Sequence, residues 1–213
     1  MLQELIVVNA PCLERLRHHA PYKDKMHISI ISAPKLKILG RLTDNISRLE
    51  LGATVYKGLH TIRMATVMRT VKVLAIRLDN LGVHVIINLM KCFPCLEKLY
   101  IKTYIATKNM RLHNSQDHIE CLDLHLKTIR IRYYSGEGSH LAFAKFFVLD
   151  ASVLESIVLD VVPDKMRSDW WIENQRRQLQ LEERASIGAQ VDFTSDDCFD
   201  YLNDIQEFAD SCE

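Results

Sequence analysis

The sequence predicts an α/β solenoid with parallel strands, helix-poor at its N-terminal end, and three observations carry that expectation. An apolar-x-x-apolar-x-apolar phrase recurs at Leu2-Leu5-Val7, Ile46-Leu49-Leu51, Val71-Leu74-Ile76, Leu96-Leu99-Ile101, Ile119-Leu122-Leu124 and Leu154-Ile157-Leu159. The starts at Ile46, Val71 and Leu96 fall 25 residues apart. A second echo precedes some of these phrases: NAPCLERL (Asn9 to Leu16), SAPKLKIL (Ser32 to Leu39), CFPCLEKL (Cys92 to Leu99) and DASVLESI (Asp150 to Ile157). A short strand with alternate residues inward cannot bury its apolar face alone, so such units must stack.

In the first 50 residues the apolar phrases near Leu2, Leu13, Met26, Leu36 and Ile46 lie 10 to 13 apart, which leaves no room for helices between them. Further on there is room. Asn80 to Phe93 sets Leu81, Val85, Leu89 and Cys92 at helical spacing, with Pro94 as a stop. The equal steps predict neighbouring parallel strands at Ile46–Leu51, Val71–Ile76 and Leu96–Ile101, with Leu99 buried. Ile119 to Leu124 reads as another strand, and LKTIRIRYY as a half-buried one in which Ile129 and Ile131 alternate with Arg130 and Arg132. In YSGEGSHLAF, Gly136 and Gly138 lack the third glycine of a dinucleotide fingerprint and the lysine of a phosphate loop. They read as a strand-to-helix turn with Ser139 as N-cap, leading into a phenylalanine-rich core helix. The helix around WWIENQRRQLQLEER, with Trp170, Trp171, Leu179 and Leu181, is expected to cap the stack.

Charge is balanced overall at 27 against 27 but not along the chain. After Arg184 come eight acids and no base, leaving a body of 27 basic against 19 acidic residues, about +8. Gln190 to Phe193 is expected to dock on the body, and the acidic stretch beyond Asp196 to remain loosely held. No run of 18 apolar residues suggests a membrane span, and the acidic N-terminal stretch is unlike a signal peptide. Six cysteines without such a signal indicate free thiols and a cytoplasmic or nuclear protein.

Cys92 and Cys95 raise the question of chemistry. A structural zinc site needs four ligands, and no second pair completes one. In the aligned echoes Cys95 falls where Cys12, Lys35 and Val153 stand, so the cysteines read as small apolar residues. A Cys92/Cys95-dependent metal-binding or redox protein stays open as an alternative. His113, His118 and His125, beside Glu120, Cys121 and Asp123, read as loop and strand edge rather than a metal site. Lys127, Arg130 and Arg132 form a candidate face for an acidic protein partner, while the basic field is too weak to suggest nucleic acid.

The repeat phrases, together with the block IECLDLHLKTIRIRYYSGEGSHLAFAKFFVLDASVLESIVL (Ile119 to Leu159), resemble the C-terminal part of plant F-box/LRR/FBD proteins, especially those of grasses. The IECLD, HLK, FAKFF and VLES elements stand in that family's order, and QRRQLQLEERAS (Gln175 to Ser186) and VDF (Val191 to Phe193) resemble its ending. The resemblance implies a leucine-rich-repeat-like solenoid over residues 1–112 and an FBD-like α/β unit over 113–187 that closes it; the charge pattern, not the resemblance, sets off an acidic tail over 188–213. It implies a non-catalytic module that holds the target of an SCF-type ubiquitin ligase, with no cofactor. The chain enters a repeat phrase at Leu2, so an F-box is expected to be missing, and with it binding to the Skp adaptor. A non-functional gene fragment is the remaining alternative.

Overall fold

The computed structural model describes residues 4–18, 25–80, 82–105, 119–162 and 168–195. Strands β1 (Glu4–Val7), β2 (Arg15–Arg17), β3 (Met26–Ile30), β4 (Ile38–Thr43) and β5 (Ile46–Leu51) follow one another with no helix among the described residues between them. They alternate between two sheets: β1, β3 and β5 run parallel in one, β2 and β4 in the other. Met26, Ile28 and Ile30 from the first sheet and Leu39 and Leu42 from the second are buried in one shared core. This is the helix-free return that the 10-to-13-residue spacing predicts.

After β5 the chain doubles back. Gly52, at φ +59°, makes the first turn, where a Cβ would come within 3.0 Å of Thr66. Strand β6 (Thr54–Lys57) adds antiparallel to β5, β7 (His60–Arg63) adds antiparallel to β6, and they complete a five-stranded sheet, β1-β3-β5-β6-β7. This corrects one expectation: Ile46–Leu51 is not a neighbour of Val71–Ile76. The two hairpins occupy residues that the 25-residue step treats as a crossover, and β5 stays in the other sheet. The partner of β8 (Val73–Asn80) is β4, with Ile38 opposite Val73.

From β8 onward helices appear: α1 (Val83–Met90), β9 (Lys98–Ile105), α2 (Glu120–Leu124), β10 (Thr128–Tyr134), α3 (Gly138–Asp150), β11 (Ser156–Val161), α4 (Asp169–Gln178), a 3-10 turn at Leu181–Glu183, and β12 (Gln190–Thr194). The second sheet has seven strands in the order β12-β11-β10-β9-β8-β4-β2, all parallel. Parallel strands need long crossovers, and the helices supply them. Gln190 to Phe193 docks as expected, inside β12. Residues 196–213 lie outside the described residues.

Two further expectations are corrected. Ile119 to Leu124 is helical: Ile119 caps α2, Cys121 and Leu122 are buried, and Leu124 is 59% exposed. A three-residue apolar step fits one helical turn as well as the repeat phrase, and six residues are too few to separate the two. Ser139 is not the N-cap of α3. Glu137 holds that place without a side-chain cap bond, and Ser139 is buried in the first turn.

The seven-stranded sheet is built on straight rows. One row runs Leu16, Leu39, Leu74, Leu99, Ile129, Ile157 and Val191, each opposite the next across adjacent strands. A second runs Leu42, Ile76, Ile101, Ile131, Leu159 and Phe193. Ahead of β4, β8, β9, β10 and β11 one carbonyl of the preceding unit accepts two amides: among them Lys37 O takes Lys72 N and Val73 N, Lys72 O takes Glu97 N and Lys98 N, and Glu97 O takes Lys127 N and Thr128 N, all at 2.8–3.1 Å. These forks fix the register between units, and the apolar rows follow from it.

Candidate interaction surface

Because side chains alternate across a strand, rows turned away from the core interleave with the buried ones. One outward row reads Thr43, Arg77, Lys102, Arg132, Asp160, Thr194. Three cations therefore stand on three adjacent strands, β8, β9 and β10. Like charges directly opposite one another destabilise a sheet, so the row costs stability unless neighbours or a ligand offset it.

At one end the offset is a carboxylate. Asp160 accepts from Arg130 through Nε at 2.8 Å and Nη2 at 3.2 Å, with Arg132 Nε at 3.4 Å and the Thr194 hydroxyl at 2.5 Å. At the other end the offset is aromatic. Lys102 Nζ sits 5.0 Å from the Tyr133 ring centre and 5.5 Å from that of Tyr104, while the Arg77 guanidinium lies 5.3 Å from Tyr104. The two tyrosine rings stack at 5.0 Å, and each tyrosine is 38% exposed. Beside them Ile105 ends β9 at 54% exposure. Cations over aromatic faces gain roughly 0.5–1 kcal/mol each at exposed sites.

Tyr133 reaches the outside through backbone strain. Its φ is +59°, a left-handed conformation rare for a bulky residue. The parallel register slips there, between Arg132 and Tyr134. The bulge turns Tyr133 outward onto Tyr104 and lets Tyr134, next in sequence, turn inward and be fully buried. The Tyr134 hydroxyl donates to Gln175 Oε1 at 2.9 Å, and Gln175 Nε2 donates to Gly136 O at 3.2 Å. A Cβ at Gly136 would meet Trp171 and Gln175 at 2.6–2.7 Å, so this glycine is where α4 closes on β10. Beneath the bulge His140 is buried; the Ser135 amide donates to its Nδ1 at 3.1 Å, which leaves the proton on Nε2, 3.5 Å from Thr103 Oγ1. Burial lowers its pKa to about 4.

A second cationic group lies at the far edge of the same sheet. Burial lowers the Arg17 pKa below its ordinary value, and Arg15 and Arg41 beside it add to the effect.

Of the residues singled out in sequence, Arg130 and Arg132 lie on this face and Lys127 does not. Lys127 precedes β10, on the edge where the carbonyl forks run, and pairs with Glu155 at 2.9 Å, which raises its pKa. Glu14–Lys37 and Lys72–Glu97 are equivalent pairs along that edge, at 3.2 and 2.8 Å. Sequence reasoning missed Arg77, Lys102, Tyr104 and Tyr133. A signal for two of them existed in KLYIKTYI, where Lys98, Tyr100, Lys102 and Tyr104 alternate with apolar residues and Thr103.

The cysteines tell against thiol chemistry at Cys92. It is fully buried, its Sγ lies 3.4 Å from the Thr66 carbonyl, and burial pushes its thiol above the ordinary value. A reactive thiol needs the opposite shift. Cys121 is pushed up to about 12 by burial. Among the described residues no group of three or more His, Cys, Asp or Glu side chains is placed to hold a metal ion. His113 and His118 lie outside them, and Glu120 pairs with Arg69 at 3.0 Å.

Stacked parallel strands that present a broad cationic and aromatic face are the architecture of a repeat-built interaction protein. Family comparison makes this specific. Residues 1–101 match the family model for the LRR repeats of FBD-associated F-box protein At5g56370, and residues 114–159 match the FBD model. The chain thus carries the repeat and FBD regions characteristic of FBD-associated F-box proteins; no F-box was matched. Neither the curated proteins nor the solved structures gave a match.

Proposed function

We propose that the chain is the target-binding part of an SCF-type ubiquitin-ligase receptor and performs no chemistry of its own. On this reading the repeats of residues 1–112 form a solenoid, the FBD-like unit of 113–187 closes it, and the outward face of the seven-stranded sheet holds the target protein. The observation that carries the reading is the in-register row Arg77, Lys102, Arg132 under the Tyr104–Tyr133 stack. A sheet selected for stability alone gains nothing from a tyrosine held at φ +59° with its ring turned out to solvent. That strain is understandable if the face is kept for a partner. Ubiquitin chemistry and the free thiols of Cys12, Cys92, Cys95 and Cys121 fit a cytoplasmic or nuclear setting.

The test is a gain of function. The 213 residues are fused behind an F-box that binds the Skp adaptor, and ubiquitinated proteins are compared between the fusion and its Lys102→Glu variant. A defined set of proteins modified by the first and spared by the second supports the reading. Identical profiles with both, and with the F-box alone, overturn it.

A further inference from the structure

Resting on the reading that this face holds a protein target, we infer that His140, buried on the opposite side of the sheet, is the positioning residue of the Tyr104–Tyr133 stack: it clasps the ends of β9 and β10 so that the two rings meet on the outside.

The need for a clasp lies in the ladder. The register between β9 and β10 ends at Lys102 opposite Arg132, short of both tyrosines. On their far sides the two strands stay paired further along, Ile105 with Asn80 of β8 and Tyr134 with Val161 of β11. Between β9 and β10, the ladder itself does not stop the ends from splaying. His140 spans that gap. Its Nδ1 accepts from the amide and from the hydroxyl of Ser135, both at 3.1 Å. Its Nε2 lies 3.5 Å from Thr103 Oγ1, and the ring donates to the Ile105 carbonyl. Ile105 follows Tyr104 directly, and Ser135 lies two residues beyond Tyr133. One imidazole therefore holds both tyrosine-bearing segments.

The chemistry suits histidine. A neutral imidazole carries one acceptor and one donor on a single rigid ring, and the Ser135 amide and the Ile105 carbonyl require one of each. Burial lowers the His140 pKa to about 4, so the ring is neutral near pH 7 and the pattern holds. The Tyr134 ring lies against the imidazole with centres 6.3 Å apart, which seats it beneath the bulge. Strained backbone persists only where its surroundings over-determine it. Without the bond to Ser135, the segment after Tyr133 loses part of what holds that residue at φ +59°, and its ring can swing away from Tyr104.

The experiment is tyrosine-ring NMR on the full 213-residue chain, with Tyr104→Phe and Tyr133→Phe assigning the two rings. Stacked rings shield each other, so both sets of ring protons are expected upfield of ordinary tyrosine positions in the parent. His140→Ala should lose that upfield shift at both rings. In His140→Asn the amide oxygen takes the place of Nδ1 but the side chain does not reach Ile105, so part of the shift should remain. Phe143→Leu trims another fully buried residue of α3 and should lower the urea midpoint while leaving the stack intact. Urea midpoints confirm that each variant is folded; should His140→Ala not fold, His140→Asn carries the comparison. In the fusion assay His140→Ala should reduce modification of the face-dependent proteins several-fold, and Phe143→Leu should not. A stack that survives both His140 substitutions overturns the inference. So does its loss in Phe143→Leu, because the cause is then a general loosening of the core, and so do nitrogen spectra that place the His140 proton on Nδ1 at pH 7. None of these three outcomes touches the target-binding reading. A stack lost in His140→Ala with the same proteins still modified overturns the link between the stack and the target. Identical profiles for the fusion and its Lys102→Glu variant overturn the reading itself.

Discussion

Tyr133 and Tyr134 are adjacent in sequence and lie on opposite sides of the same sheet, one stacked on Tyr104 and the other buried against Gln175. Tyr133 is itself the residue at φ +59° where the register shifts, and that backbone turn sends the two rings to opposite sides. Their substitutions should therefore differ sharply. Tyr133→Asn removes a ring but puts a residue tolerant of left-handed backbone at the bulge, and is expected to cost less than about 1 kcal/mol. Tyr134→Ala empties a fully buried site and is expected to cost about 3–5 kcal/mol. Urea denaturation of the two variants checks this; the reverse order would mean that the bulge is not where the strain resides.

Leu99 sits mid-row between Leu74 and Ile129 and is fully buried. Leu99→Ala should cost about 2–5 kcal/mol, a large share of a typical domain's stability of about 5–15 kcal/mol. Leu124→Ala, at an exposed position on α2, should change stability by no more than about 0.5 kcal/mol. Equal losses at the two sites would contradict the buried row.

Stability should fall with acid through His140. Its folded pKa, about 4, lies below the ordinary value of 6.5, so the unfolded chain binds the proton more readily. The contribution is complete above about pH 6.5 and is lost as the pH falls towards 4, up to about 3 kcal/mol. The urea midpoint of the parent, followed from pH 7 to 4.5, should fall more steeply than that of His140→Leu. Parallel curves would show that His140 does not carry the effect.

Removing Ser195 to Glu213 should leave the melting temperature almost unchanged, since the β11–β12 pairing is complete at Asp160 opposite Thr194. A large drop would mean that Phe199, Tyr201 and Phe208 complete the core.

The purified chain is also expected not to bind the Skp adaptor, because the matched regions are the repeats and the FBD alone. Saturable binding in a pull-down with purified adaptor would reveal a docking element of another kind.

Much of the architecture was legible because main-chain geometry imposes a local signature. The echo at NAPCLERL, SAPKLKIL, CFPCLEKL and DASVLESI leads in every case into a strand of the seven-stranded sheet, namely β2, β4, β9 and β11. That signature covers the residues of the carbonyl forks, where each unit must make the same turn. The bare spacing of Ile46, Leu49 and Leu51 carried less, since any strand with one buried face shows it, and it could not say which sheet β5 joins. The interaction face was legible only in part. Arg130 and Arg132 could be found because they alternate with Ile129 and Ile131 within one strand. Arg77 and Lys102 join them only through pairing between strands, and Tyr133 only through a bulge that no periodicity announces.

The carbonyl forks have a mechanical consequence. Successive units are joined by hydrogen bonds that point along the stack, from β2 towards β12. A pull on the two ends would load those bonds lengthwise and a few at a time, so the molecule should yield by peeling, one strand after another, at low force. A partner lying across several strands would bridge these seams from outside and oblige them to part together.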